Sequence, residues 1–232
     1  MAGKRSTRVH EFESKPSWLG SSLSCDLVFS AGTLLALALR SRRGRVYRLA
    51  TTHYSPHATG ATALVVTAFD TFLNEVYDWS SNLLPWARKF AAEASVLAKH
   101  RGLLHSATPA GATFDTADLE TLMDVRHEIV HYLPRPTPTL IHRLERRGIL
   151  MSTSQPSGWD MGQKLASYAL AYWAFETIEA AVAQLVDVMP AERAFTLSLA
   201  ENFTLYRQSA CHPEELRWFD QEHGLRPTEE SA

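Results

Sequence analysis

The sequence has little cysteine, almost no net charge and no apolar run long enough to cross a bilayer. Its two cysteines, Cys25 and Cys211, are far apart and lack metal-ligand spacing, which excludes a disulfide framework and favours a reducing compartment. The formal net charge of −2 argues against a nucleic-acid binder that uses its whole surface, so any polyanion would need a local basic patch. The most apolar stretch, Leu27 to Leu39, is too short and too interrupted to span a membrane. We therefore expect a soluble cytoplasmic protein, and the polar N-terminus predicts no secretory signal.

Helical periodicity is the main feature that is present. With 232 residues and 45% hydrophobic content, the chain can build one sizeable core. Four apolar residues recur at steps of four, three and four, which is one face of a helix over about 58–79: Val65, Phe69, Phe72 and Val76. Further helices are predicted over about 23–39, 85–100, 116–133, 139–147, 160–190, 191–206 and 213–223. No period-two pattern or internal repeat competes, so the prediction is an all-α fold.

Details of three helices can be tested against the structure. Gly102 is expected to separate the helix over 85–100 from the segment that follows. Asp115 or Thr116 is expected to cap the helix over 116–133. The helix over 160–190 is expected to bury a stripe that includes two tyrosines: Leu165, Tyr168, Tyr172, Phe175, Val182 and Leu185.

One strongly basic cluster follows the first helix. It places five arginines within nine positions: Arg40, Arg42, Arg43, Arg45 and Arg48. A short charge run is usually a solvated loop, and the alternative is a contact with a phosphate backbone. Asn74, on a polar face of the helix over 58–79, is a second candidate for substrate binding.

The helix over 116–133 carries the residues best suited to chemistry. Arg126 interrupts its apolar stripe of Leu119, Met123, Val130 and Leu133. A guanidinium that points at a core or an interface must be paired. Its partner is either an anion such as phosphate or a carboxylate on a neighbouring helix, for which the candidates are Asp70, Glu75, Glu176 and Glu179.

His127 and His131 are four residues apart and therefore share a helix face with each other. Together with Glu128 they match H-E-x-x-H, the zinc-metalloprotease pattern. A catalytic zinc needs a third protein ligand, and nothing singles one out among Glu145, Glu176 and Glu179. The metzincin extension is absent, since Pro134 follows closely, and no substrate-binding strand is predicted. The zinc peptidase is therefore the third choice.

The same segment, read as Arg126-x-x-x-x-His131, resembles the R-x(4–6)-H motif of the HEPN superfamily (higher eukaryotes and prokaryotes nucleotide-binding domain). The resemblance extends to the stretches 61–75, 122–134 and 167–179, and spans about 25–188. It implies a HEPN-like up-and-down helical bundle with extra C-terminal helices. The expected organisation is a flexible arm over 1–20, the helical domain over 21–206 and a C-terminal extension over 207–232.

By carry-over, the resemblance implies a metal-independent endoribonuclease of a toxin or antiviral defence system, without a cofactor. Arg126 would stabilise the phosphate, His131 would act on the ribose 2′-hydroxyl, and His127 would orient one or the other. The family often has Asn where this chain has His127. A catalytically inactive HEPN-type dimer that binds nucleotide, RNA or protein is the alternative. A homodimer is expected to place Arg126, His127 and His131 of both chains in one cleft. Arg40, Arg42, Arg43 and Arg45 are expected to extend the anion path from this cleft. The resemblance also implies an antitoxin or a defence-system protein as a partner.

Overall fold

The computed structural model describes residues 22–43, 55–80, 86–108, 112–131, 138–147, 149, 165–188 and 198–205. Several sequence-based predictions lie outside these residues: the N-terminal arm, Arg45, Arg48, the proline-rich segment after His131, and the helix over 213–223. The described part contains eight helices and no strand, which confirms the all-α prediction. None of the described helices is both long and apolar enough to cross a membrane.

The eight helices follow one another along the described chain. Seven have named bounds: α1 (Leu23–Arg43), α2 (Pro56–Ser80), α3 (Trp86–Glu93), α4 (Val96–Ala107), α5 (Ala117–His131), α6 (Pro138–Arg146) and α7 (Tyr168–Val188). The eighth helix, α8, covers 198–205. The long helices α2 and α7 lie at the centre, where α2 packs against α1, α3, α4, α5 and α7.

The core forms where the predicted face of α2 meets its neighbours. Val65, Phe69, Phe72 and Val76 are all at most 1% exposed, so the periodicity prediction is confirmed. The Phe72 ring stands edge-on to that of Phe203 at a centroid distance of 5.7 Å, which attaches α8 to α2.

A single helix over 85–100 proves to be wrong, because two helices, α3 and α4, share this stretch. The break falls at Ser95, whose extended backbone and side-chain oxygen cap α4 by accepting a hydrogen bond from the Ala98 amide at 3.3 Å. Gly102 does not end a helix but lies inside α4. A Cβ atom there would stand 2.5 Å from the Tyr77 hydroxyl oxygen, so glycine is needed for the close approach of α4 to α2.

Polar groups buried between α2, α4 and α7 are held by specific partners. Lys99 is 4% exposed, and its ammonium donates to Asp70 Oδ1 at 2.7 Å and to Asn74 Oδ1 at 2.8 Å. The Tyr77 hydroxyl donates to the Lys99 carbonyl oxygen at 2.9 Å, and burial raises the pKa of Tyr77 to about 12. His100 is fully buried, with Nε2 3.1 Å from the carbonyl oxygen of Ala181. Burial lowers the pKa of His100, and the charge of Arg101 acts in the same direction.

Candidate functional site

The buried face of α5 is rotated from the predicted stripe. Leu119, Leu122 and Val125, spaced three apart, are at most 3% exposed, whereas Val130 is 48% exposed. Three apolar residues at that spacing make the stronger core face, and this face turns Val130 outward. Arg126 therefore lies at the margin of the buried face rather than in its middle, and its side chain is half-buried. At the start of α5, Asp115 Oδ1 accepts a hydrogen bond from the Ala117 amide at 3.0 Å and so satisfies one N–H group of the first turn.

Two histidines lie together on the exposed side of the last turns of α5. His127 and His131 are both exposed, and their ring centroids are 4.6 Å apart with an interplanar angle of 49°. The predicted shared face is thereby confirmed. Both rings lie in the last two turns of α5, which ends at His131.

Arg126 has no ion-pair partner among the residues that the structure describes. Two of the carboxylates proposed for it are engaged elsewhere. Asp70 binds Lys99 at 2.7 Å, and Glu75 accepts hydrogen bonds from Ser22 at 2.8 Å and from Ser24. A half-buried guanidinium that no described carboxylate binds is suited to holding an anion from outside the chain.

Glu128 is buried, although it lies only three residues before His131 on α5. It is 7% exposed and faces the interior of the bundle, whereas both imidazoles face outward. Among the described residues, no three side chains of the metal-ligating types come together in a metal-site arrangement. The H-E-x-x-H pattern is thus split between a buried carboxylate and an exposed histidine pair.

Helix α6 brings an arginine beside this face, where Asp124 balances its charge, and the sequence did not predict this contact. Arg143 binds Asp124 at an N···O distance of 3.0 Å, and Asp124 precedes His127 by three residues and His131 by seven. Residues at those spacings share one helix face, so Arg143 is brought to the histidine side of α5. The signal in the sequence was the run of basic residues three and four apart, Arg143, Arg146 and Arg147.

In the described part of the chain, no hydrogen bond or ion pair joins Asn74 to α5. Asn74 is half-buried, and its amide oxygen accepts from Lys99. Helix α1 continues to Arg43, so Arg40, Arg42 and Arg43 belong to its last turn instead of the expected loop. Their role in an anion path stays a prediction.

The outer face of α7 carries a groove that the sequence analysis missed. Tyr172 is 43% exposed, so its expected burial is wrong, whereas Tyr168 and Trp173 are half-buried and pack against the core. The core stripe of α7 runs instead through Leu170, Ala174, Phe175, Ile178 and Leu185, because small alanines let this face approach α2 closely. Two adjoining cavities of about 350 and 510 Å³ share Trp173 and Glu176 as lining residues. The signal in the sequence for this groove was the four-residue spacing of Tyr168, Tyr172 and Glu176, which places all three on one side of the helix.

The chain matches no family model, no curated protein sequence and no solved structure.

Proposed function

We propose that this protein is a metal-independent endoribonuclease that cleaves RNA through attack of the ribose 2′-hydroxyl. The observation that carries the proposal is the pairing of two exposed histidines with a half-buried arginine that has no carboxylate partner in the described structure. Phosphodiester cleavage of this type needs a proton acceptor, a proton donor and a cation for the phosphate, and this end of α5 supplies all three.

Each residue has a distinct role in the proposed reaction. One imidazole, assigned to His131, removes the 2′-hydroxyl proton as the oxygen attacks phosphorus. The bond from phosphorus to the 5′-oxygen breaks, and that oxygen takes a proton from the second imidazole, His127, or from water. Arg126 binds the non-bridging oxygens, whose charge increases in the transition state. The products are a 2′,3′-cyclic phosphate and a free 5′-hydroxyl.

The geometry of α5 supports a site that is shared by two chains. Arg126 and His131 are five residues apart, which places them about 140° apart around the helix axis. One helix therefore presents them in different directions, whereas two antiparallel copies of α5 bring the arginine of one copy towards the histidine of the other. Val130 lies between the two directions and is 48% exposed, which suits an isologous contact at this face.

The burial of Glu128 favours this reaction over zinc-dependent peptide hydrolysis. A zinc peptidase uses the glutamate of its motif to activate a water on the zinc, and that water lies beside the two histidines. Glu128 is 7% exposed and faces the bundle. We further propose RNA as the substrate, the cytoplasm as the location, and a toxin or defence system, with its antitoxin or partner protein, as the setting.

The decisive experiment is incubation of the purified protein with RNA in the presence of EDTA, followed by analysis of the product ends. We expect cleavage with 2′,3′-cyclic phosphate ends. Arg126→Ala and His131→Ala should each lower the rate at least about 100-fold, since acid–base and phosphate-stabilising groups contribute on that scale. His142→Ala is the matched control: this exposed α6 histidine lies outside the pair, and its loss should change the rate less than about twofold.

Two outcomes would contradict the proposal. Cleavage that requires a divalent metal would contradict the proposed reaction. If circular dichroism shows that the inactive Arg126→Ala and His131→Ala proteins are unfolded, their loss of activity would not support the roles assigned to these residues. The shared site has its own test, in which inactive Arg126→Ala and His131→Ala proteins are mixed and allowed to exchange subunits. Half of the dimers are then mixed and each has one intact composite site, so about a quarter of the activity should return. No recovery after verified exchange would contradict the shared site.

A further inference from the structure

The groove on the outer face of α7 has the composition of a site for an organic cation. Its aromatic wall consists of Tyr168, Tyr172 and Trp173, and Tyr168 and Tyr172 have ring centroids 5.9 Å apart. Glu176 lines both cavities and makes no hydrogen bond or ion pair with the residues that the structure describes. Aromatic faces next to a carboxylate attract a cation both through the ring quadrupoles and through charge.

The charges around the groove favour a cation over an anion. Among the residues that the structure describes, three carboxylates line it, Asp115, Asp118 and Glu176, against one cation, Arg147. Arg147 is already bound to Asp118, so these two charges neutralise each other. Asp115 and Glu176 then leave the groove with a negative potential that would repel phosphate groups.

A buried hydroxyl lies in the wall of the smaller cavity. Thr177 is 7% exposed and lines the smaller cavity beside Glu176, and its Oγ1 atom has no hydrogen-bond partner in the part of the chain that the structure describes. Buried hydroxyls are normally hydrogen-bonded. Since the Thr177 Oγ1 atom is also closed to solvent, the groove's contacts with a ligand come from the aromatic rings and Glu176.

We propose that this groove binds a guanidinium group, either of a small guanidine compound or of an arginine side chain on a partner protein. A guanidinium is planar, so it stacks on Tyr172 or Trp173, and its N–H fork matches the Glu176 carboxylate. The cavity volumes of about 350 and 510 Å³ lie within the range of small-molecule sites. Asp118 precedes His131 by thirteen residues, which is about 20 Å along α5, so this site is separate from the proposed nuclease site.

The test is calorimetric titration of the whole protein with Nα-acetylargininamide and with its neutral isostere, Nα-acetylcitrullinamide. We expect binding of the arginine compound at millimolar concentration and at least about fivefold weaker binding of the citrulline compound, as loss of a cation–π and carboxylate contact implies. N-butylguanidine distinguishes the sources: equal binding indicates a small guanidine compound, and weaker binding indicates an arginine residue of a protein. Both results support the guanidinium site.

Variants locate the binding. Glu176→Gln and Tyr172→Leu change exposed side chains, and each should weaken binding about fivefold or more. Glu93→Gln, an exposed carboxylate on α3 that does not line either cavity, is the matched control and should leave the affinity unchanged. Equal binding of arginine and citrulline compounds, preferential binding of uridine monophosphate, or an effect of Glu93→Gln as large as that of Glu176→Gln would overturn the proposal.

Discussion

The buried ammonium of Lys99 allows a quantitative prediction about stability. Its side chain is 5% exposed, whereas that of its partner Asp70 is 38% exposed, with 2.7 Å between the charged atoms. If Asp70→Asn removes the negative charge, the ammonium stays buried, because water cannot reach it. If Lys99→Met removes the positive charge, the Asp70 carboxylate can be hydrated. The two substitutions should therefore have unequal costs.

The magnitudes follow from that difference in exposure. Breaking a fully buried pair on one side costs about 3–5 kcal/mol. Since Asp70 is partly hydrated and asparagine still offers an oxygen, we expect about 2 kcal/mol for Asp70→Asn and about 1 kcal/mol for Lys99→Met. The double variant should cost about 1 kcal/mol, well below the sum, because neither charge is then left alone.

Urea unfolding followed by circular dichroism measures these free energies, and about 2 kcal/mol corresponds to a fall in Tm of roughly 4–8 °C for a chain of this size. Asp78→Asn is the matched control. Asp78 lies on the same helix and binds Arg88 at the same 2.7 Å, but both side chains are more than half exposed, so the cost should stay below about 1 kcal/mol. Additive single costs, or a loss for Asp78→Asn equal to that for Asp70→Asn, would refute the reasoning.

Four further predictions concern pH, packing, assembly and the proposed site. Burial lowers the pKa of His100 below its ordinary 6.5, so the unfolded chain binds more protons in acid than the folded chain does. The free energy of unfolding should therefore be highest above about pH 6.5 and fall on acidification. The fall should be less steep in His100→Gln, as urea midpoints at several pH values will show. An unchanged pH profile would contradict this. Gly102→Ala should lower the free energy of unfolding by about 1–2 kcal/mol, since its Cβ meets the hydrogen-bonded Tyr77 hydroxyl and this outweighs the gain in helix propensity; a more stable variant would show that Tyr77 yields. Light scattering at micromolar concentration should give about twice the chain mass, and a strict monomer that still cleaves RNA would exclude the shared site. Asn74→Ala should reduce stability by about 1 kcal/mol while leaving RNA cleavage per folded molecule unchanged, because its oxygen serves Lys99; a selective loss of cleavage would restore Asn74 as a substrate-binding residue.

The repeating pattern of the sequence determined the helices and the faces of those that are amphipathic. Val65, Phe69, Phe72 and Val76 are separated by steps that only a helix can place on one side, and a side chain's direction on its own helix depends on local geometry alone. The neighbourhood of His127 and His131 was predictable for the same reason, since four residues always bring two side chains together on a helix.

Only the tertiary structure decided which apolar residues are used by the core and which polar ones are left at the surface. Tyr172 fits the helical period as well as Phe175 does, yet alanines on another side of α7 let this helix approach α2, and Tyr172 is left exposed. Asp70 and Glu176 were equally plausible partners for Arg126 in the sequence. Which carboxylate pairs with which cation depends on distances between helices, and the local sequence pattern does not encode these distances. In the folded chain Asp70 pairs with Lys99, and Glu176 lines a groove on α7. Arg126 lies at the margin of the buried face of α5, because each helix can bury only the side that its neighbours cover.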